Sequence, residues 1–241
     1  MKELRIVIPT KNEEKYLPLL LDSIKMQTYK NYEIVVADAN STDKTKEIAK
    51  KYKCKIVKGG YPDVGRNNGS KNCKTLYILF IDSDCLLPNE FFLEKTINEF
   101  KKRNLDLATI LQKPILFFNI KKIKKFFYIL IHNFVNLSFK ISEKTKFPLM
   151  QSYLLFKTRT FKKLGGFPPY EFGEDSAIAK KAVKQGYKFG ILYEPGKILI
   201  SVRRYESKGL FKMLLKYSYF NILRMFGKEH LRKKEGIKYW D

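Results

Sequence analysis

The sequence predicts an α/β fold: a mostly parallel, Rossmann-like sheet flanked by helices, with amphipathic helical appendages in its second half. Three observations predict it. Across residues 4–102, short runs rich in Ile, Val and Leu alternate with segments whose apolar residues recur at helical spacing. Such alternation requires crossover connections, which lay helices on both faces of a parallel sheet. At 241 residues, 44% of them apolar, the chain can bury one substantial core and is too apolar for disorder in bulk.

Leu4 to Ile8 is a compact strand-type run ended by Pro9. Residues 13–26 follow as a helix, with Leu17, Leu20, Leu21 and Ile24 at helical spacing. Residues 32–37, rich in Val and Ile, form the second strand, and residues 43–51 a helix for which Ser41 or Thr42 can serve as N-cap. Residues 54–57 and 76–81 are the third and fourth strands, the fourth strongly apolar. Pro88 opens a helix over 89–102 that offers Phe91, Phe92, Ile97 and Phe100 for packing. Beyond Pro114 the character changes. Residues 115–141 are dense in Phe, Ile and Leu and punctuated by Lys121, Lys122, Lys124 and Lys125. Ile120, Ile123, Phe127, Leu130 and Phe134 fall on one stripe of that helix, with the lysines largely to one side. Residues 153–156 and 198–202 read as strands, 159–164 as a short helix and 175–185 as a longer one, and 209–228 repeats the aromatic-basic composition. Four segments result: 1–114, 115–149, 150–205 and 206–241.

The charge balance is lopsided, with 48 Lys and Arg against 24 Asp and Glu and a net charge of +24. Such a field attracts phosphate-bearing partners: nucleic acid, anionic lipid or a nucleoside diphosphate. Cys54, Cys73 and Cys85 lack metal-type spacing, and three thiols cannot all pair within one chain, so reduced cysteines in a cytoplasmic protein are expected. The first residues carry charge and run into Pro9, unlike a secretory signal. The charge-free stretch 126–139 includes His132, Asn133, Asn136 and Ser138 and is shorter than the roughly 18 apolar residues a spanning helix needs. His132 and His230 are isolated from any partner motif and read as structural or exposed.

In a parallel sheet, ligands bind beyond the carboxyl ends of the strands, so the residues that follow each strand matter most. Asp82-Ser83-Asp84 directly follows the fourth strand. Two carboxylates one residue apart in such a turn can share a hard divalent cation, or simply cap the next helix. Glu174-Asp175 precedes a helix and either favours its N-terminus or supplies a carboxylate for proton transfer. Arg203-Arg204, after the last strand-type run, either neutralises an acidic ligand or faces solvent.

The segments Ile6-Val7-Ile8-Pro9-Thr10-Lys11-Asn12-Glu13-Glu14, Gln27-Thr28-Tyr29 and Val35 to Thr45 closely resemble the nucleotide-binding half of family 2 glycosyltransferases. The resemblance continues through Gly65-Arg66-Asn67-Asn68-Gly69 and Phe80-Ile81-Asp82-Ser83-Asp84. It resumes at Gly165-Gly166-Phe167, Glu174-Asp175 and Gly186-Tyr187, and so covers most of residues 4–110 and 150–192. It implies a GT-A fold and metal-dependent, inverting transfer from a nucleoside-diphosphate sugar. Residues 1–114 would be the nucleotide-sugar half and 150–205 the acceptor and catalytic half. Pro9, Lys11 and Glu13 would lie against the nucleotide, Asp38 would contact base or ribose, and Arg66 would sit in an Arg-Asn turn nearby. Ala39 stands where many relatives carry a second Asp. Asp84 and Asp82 would ligate Mg²⁺ or Mn²⁺, with Asp82 nearer the ribose. Asp175 would be the general base beside Glu174, unneeded if the acceptor is itself a phosphate. Arg203 and Arg204 resemble an Arg pair of some members, suited to the diphosphate or an acidic acceptor.

Residues 117–141 and 209–228 mix large apolar side chains with lysine, a composition suited to helices lying in an anionic membrane surface. A lipid-linked acceptor such as a polyprenyl phosphate, met at the inner face of the cell membrane, would call for such surfaces. The alternative of a basic nucleic-acid-binding protein finds no zinc-finger, RNA-binding or helix-turn-helix signature, so nucleic acid is not the expected partner.

Overall fold

The structure is a computed structural model, and it describes residues 2–116, 120–169 and 173–209. The first half runs β1 (Leu4–Thr10), α1 (Leu17–Lys25), β2 (Tyr32–Asp38), α2 (Thr45–Lys51), β3 (Lys55–Lys58), α3 (Pro62–Ser70) and β4 (Tyr77–Ile81). There follow β5 (Cys85–Leu86), α4 (Phe92–Lys102), β6 (Leu107–Ile110), β7 (Gln112–Ile115) and the long α5 (Lys122–Glu143). The remainder is β8 (Tyr153–Lys157), α6 (Thr158–Lys163), α7 (Glu174–Lys184), β9 (Phe189–Leu192), β10 (Ile198–Ser201) and α8 (Arg203–Lys208).

A seven-stranded sheet has the order β3-β2-β1-β4-β8-β6-β9, and a small one the order β5-β10-β7. Strands β1 to β4 are mutually parallel, as the crossover helices require, while β8 runs antiparallel to both β4 and β6. The expected α/β sheet is therefore present, and it draws strands from both halves of the chain. Central β1 is buried at all seven positions, which explains its unbroken apolar run. One core layer packs Leu4, Ile6 and Ile8 against Leu17, Leu20, Phe92 and Phe100. The other packs Val7, Ile78 and Phe80 against Phe156, Phe161, Phe167 and Ile178. Gly69 lets α3 lie on β1, because a Cβ there would overlap the Val7 side chain.

Several boundaries differ from the sequence expectation, for local reasons. The first helix starts at Leu17 rather than residue 13, with Pro18 in its first turn, because residues 11–16 form a loop bonded to the next one. The second starts at Thr45, not Asp43. Asp43 accepts the Thr45 N–H at 3.0 Å, and Ser41 turns back to Asp38 instead of capping. The helix expected from residue 89 begins at Phe92. Arg66 lies in helix α3, opened by Pro62, rather than in a turn. The strands β5, β6, β7 and β9 are only two to four residues long, and Pro114 sits in β7, which is tolerable because β7 is an edge strand. No helix among the described residues is long and apolar enough to cross a membrane. Residues 117–119 and 210–228 of the aromatic-basic expectation, with His230, fall outside the described residues. Buried His132 is structural: its Nδ1 lies 2.8 Å from the Tyr128 carbonyl, and burial lowers its pKa.

Candidate active site at the carboxyl ends of the strands

The loops after β1 and β2 are fastened to each other. Asn12, at φ 54°, donates its N–H to Ser41 Oγ and accepts the Thr42 N–H, both at 2.9 Å. The Glu13 N–H donates to Thr45 Oγ1 at 2.8 Å, and the Lys11 ammonium donates to the carbonyls of Ala39 and Asn40. Asp38 is buried and accepts from Ser41 N (3.0 Å), Ser41 Oγ (2.5 Å) and Thr10 Oγ1 (3.3 Å). Lys11 and Asp38 thus hold the shape of this crevice. Pro9 is buried at the end of β1, where α3 packs over it at Gly65.

Two arginine-centred clusters meet at the Asp82-Ser83-Asp84 turn. In the first, the buried Arg66 guanidinium donates to Glu174 Oε1 at 2.5 Å and to Asp82 Oδ1 at 2.9 Å, and it lies 5.5 Å from the centre of the Phe167 ring. The Asn67 side chain fixes that ring's backbone, accepting the Phe167 N–H and donating to its carbonyl, each at 2.9 Å. Gly166, at φ 82°, is required there, since a Cβ would come within 2.6 Å of Asn67 Oδ1. In the second cluster, Arg203 makes a two-pronged pair with Glu13 at 2.7 and 2.5 Å and donates from Nε to Asp84 Oδ2 at 3.1 Å. Its guanidinium stacks 4.5 Å from the Tyr16 ring centre.

The electrostatics separate four neighbouring acids. Burial would raise the Asp82 carboxyl, but the charges of Arg66 and Arg204 outweigh it and hold the group below its usual range. Asp84 is raised, because burial, with the Asp82 charge adding to it, exceeds the help of Arg204 and Arg203. Glu13 is raised by burial against the pull of Arg203. Glu174 is pushed up to about 7 by burial and the charge of Asp175, against the opposing charge of Arg66. Because Glu174's folded pKa exceeds the 4.5 of an ordinary glutamate, the folded chain keeps a proton that the unfolded chain releases. The stability this confers is complete below pH 4.5 and lost as pH rises through about 7. Glu174→Gln should therefore flatten the wild-type fall in stability between those limits. Unfolding midpoints measured across that range check this; parallel profiles would mean that Glu174 does not titrate there.

The structure brings most of the sequence-predicted residues together, while Pro9, Lys11 and Asp38 lie at or just beyond the adjoining ends of β1 and β2. Glu13, Asp82, Asp84, Arg66, Glu174 and Arg203 are linked by contacts, Arg204 acts on both Asp82 and Asp84, and Asp175 is half-buried in the first turn of α7 beside Glu174. Tyr16 was given no role by sequence reasoning, and nothing in its local pattern marks it. Asn67 and Phe167 sat inside motifs quoted for the family resemblance without an assigned function. A cleft of about 530 Å³ opens beside Arg203, between Tyr16, Lys121, Lys124, Ser201 and Ser207.

No group of three or more His, Cys, Asp or Glu suited to a metal ion occurs among the described residues. Asp82 and Asp84 nevertheless fit a hard divalent ion of the kind bound by one or two carboxylates together with substrate phosphates. Arg203's two bonds to Glu13 do not depend on Asp84, whose other partner could then be a cation.

Known proteins resemble this chain in sequence and in fold. The family model Glycosyl transferase family 2 matches residues 5–165. Glycosyltransferase GlyA of Streptococcus pneumoniae is 31% identical over 200 residues, 74% of this chain and 28% of that protein. Poly(ribitol-phosphate) beta-N-acetylglucosaminyltransferase TarP of Staphylococcus aureus is 36% identical over 117 residues, 44% of this chain and 36% of that protein. Among solved structures, S. aureus TarS 1–349 in complex with UDP-GlcNAc superposes with a TM-score of 0.64 at 23% identity, covering 83% of this chain and 58% of that one. Mannosyltransferase PcManGT from Pyrobaculum calidifontis, in complex with GDP-Man and Mn²⁺, gives 0.65 at 20% identity, covering 83% and 56%. At these identities the structural likeness concerns the fold. The chain spans less than two thirds of the length of each of these proteins.

Proposed function

Because this chain belongs to family 2 of the glycosyl transferases, we propose that it transfers a sugar, with inversion and with help from Mg²⁺ or Mn²⁺, from a nucleoside-diphosphate donor to an acceptor. One observation carries the reading: two ion-paired clusters, Arg66 with Asp82 and Glu174 and Arg203 with Asp84 and Glu13, meet at the Asp82-Ser83-Asp84 turn beyond the end of β4, with Asp175 beside Glu174. The UDP-GlcNAc and GDP-Man of the two structural neighbours support a nucleotide sugar as donor, and the Mn²⁺ of one supports a divalent ion.

Each residue's part follows from its surroundings. The loops around Pro9, Lys11, Glu13 and Asp38 form a preshaped crevice for the nucleoside. Arg203 and Arg204 supply positive charge beside Asp82 and Asp84, where a diphosphate would lie. A cation on Asp84 and Asp82 would neutralise charge developing on the departing diphosphate. Inversion needs a carboxylate across the sugar from that leaving group, to take the acceptor hydroxyl's proton as the new bond forms. Glu174 is enclosed and bound by Arg66, so the half-buried Asp175 next to it takes that role. The acceptor is proposed to be lipid-linked, a polyprenyl phosphate or similar carrier, met at the cytoplasmic membrane surface.

A screen of nucleoside-diphosphate sugars for metal-dependent binding and hydrolysis tests the donor assignment; no response to any of them sinks it. Asp175→Asn should keep donor affinity and lose turnover by about 10²–10⁴-fold. An equal loss of donor affinity would instead make Asp175 a binding residue, and unchanged turnover would point to a phosphate acceptor.

A further inference from the structure

Helix α5 turns a mixed polar and apolar face inward. The residues it buries include His132, Asn136 and Ser142, with Tyr128, Ile131 and Phe139. Those polar groups close backbone positions: Asn136 accepts the Gln112 N–H and donates to the Gln112 carbonyl, both at 2.8 Å, and Ser142 Oγ accepts the Leu149 N–H. Glu143 at the helix end accepts the Ile191 N–H and pairs with Arg103 at 2.9 Å. The opposite side carries Ile123, Phe126, Leu130, Phe134, Leu137 and Ile141, three or four residues apart and all exposed, Phe134 at 70%. Burial of such side chains is worth more than that of the polar ones turned inward, so leaving this stripe in water forgoes much apolar burial.

The charge around this stripe is predominantly positive. Seven lysines (121, 122, 124, 125, 140, 144 and 146) lie on or beside α5, against two acids that already have partners: Glu143, paired with Arg103, and Glu206 of α8, which accepts from Lys124 at 3.1 Å and from Tyr128. A continuous apolar stripe flanked by lysines is complementary to a bilayer whose headgroups are anionic, and no helix among the described residues crosses one. We propose that the outward face of α5 docks on an anionic lipid surface, its apolar side chains in the acyl boundary and its lysines among the headgroups. The cleft between Lys121, Lys124 and Arg203 then opens at the docked end of the helix, next to the arginine that touches Asp84. The proposal names a partner for the same molecule, but its surface lies apart from the site, and it holds whether or not the transferase reading does.

The test uses the full chain and no donor. Co-sedimentation with vesicles of phosphatidylcholine containing phosphatidylglycerol should show binding that salt weakens and that pure phosphatidylcholine vesicles lack. Replacing Lys121, Lys122, Lys124 and Lys125 by Gln should lower partitioning by about 100-fold or more. Replacing Phe126, Leu130 and Phe134 by Ser should lower it further. In a Trp240→Phe background, Phe134→Trp should emit as a wet indole in solution, shift to the blue on anionic vesicles and be quenched by brominated acyl chains. Wild-type protein left in solution with anionic vesicles at low salt overturns the proposal. So does a Phe134→Trp probe that is already dry without lipid, which would mean that a second copy or another part of the chain covers the face.

Discussion

Asp84→Asn should yield a folded protein that transfers no sugar. The carboxylate is buried, and burial holds its pKa up, so the substitution removes a charge the folded state carries at a cost. The amide keeps the side chain's size and an oxygen for the Arg203 Nε–H, and thermal unfolding should shift little. Chemistry should suffer fully. An amide does not replace a carboxylate in direct contact with a divalent ion, so cation-assisted binding of the nucleoside diphosphate should weaken along with the loss of transfer. Titration calorimetry with nucleoside diphosphate, with and without Mn²⁺, separates the two effects. Transfer undiminished in the variant, in the presence of a chelator, would remove Asp84 from the mechanism.

Arg66→Ala should destabilise the fold by about 3–5 kcal/mol, the usual cost of leaving a buried carboxylate without its partner. Arg66 is 2% exposed and its partner Glu174 4%, so water cannot replace the lost charge; Asp82 is less enclosed and suffers less. The penalty should be larger above pH 7 than below it, because an unpaired Glu174 can escape by taking a proton. Adding Glu174→Gln to Arg66→Ala should recover part of the loss, and the double-mutant cycle measures the coupling. Urea unfolding of the four proteins is the measurement. Additive losses would show that the two side chains do not stabilise each other.

The sheet was legible because its central strands are long and unbroken in pattern. Ile6-Val7-Ile8 and Ile78-Leu79-Phe80-Ile81 are buried on both faces and leave no ambiguity of period. The short strands were not. Gln112–Ile115 contains a proline, and Cys85–Leu86 has two residues, so neither carries a periodicity to read. α3 was hidden by Gly65 and Gly69, poor helix formers retained because α3 must approach Pro9 and Val7 closely. At the site, motif order located the acids and arginines, but partner choice was not readable: nothing local says that Glu13 belongs to Arg203 or Glu174 to Arg66. The stripe on α5 was visible as a pattern, while its outward direction depended on Asn136 and Ser142 finding backbone partners across the fold.

The pairing of Glu13 with Arg203 joins residues 190 positions apart, and Arg203 with Asp84 spans 119. Closing loops of that length costs entropy that only an already formed sheet can offset, so these contacts come late in folding. A nascent chain that has emerged only as far as β7 already holds Glu13, Asp82 and Asp84 but has not yet received the arginine that bridges two of them. Fragments that end before β10 should fold, if at all, more readily at acid pH than at neutral pH, where Asp84 and Glu13 carry charges without the opposing charges of Arg203 and Arg204.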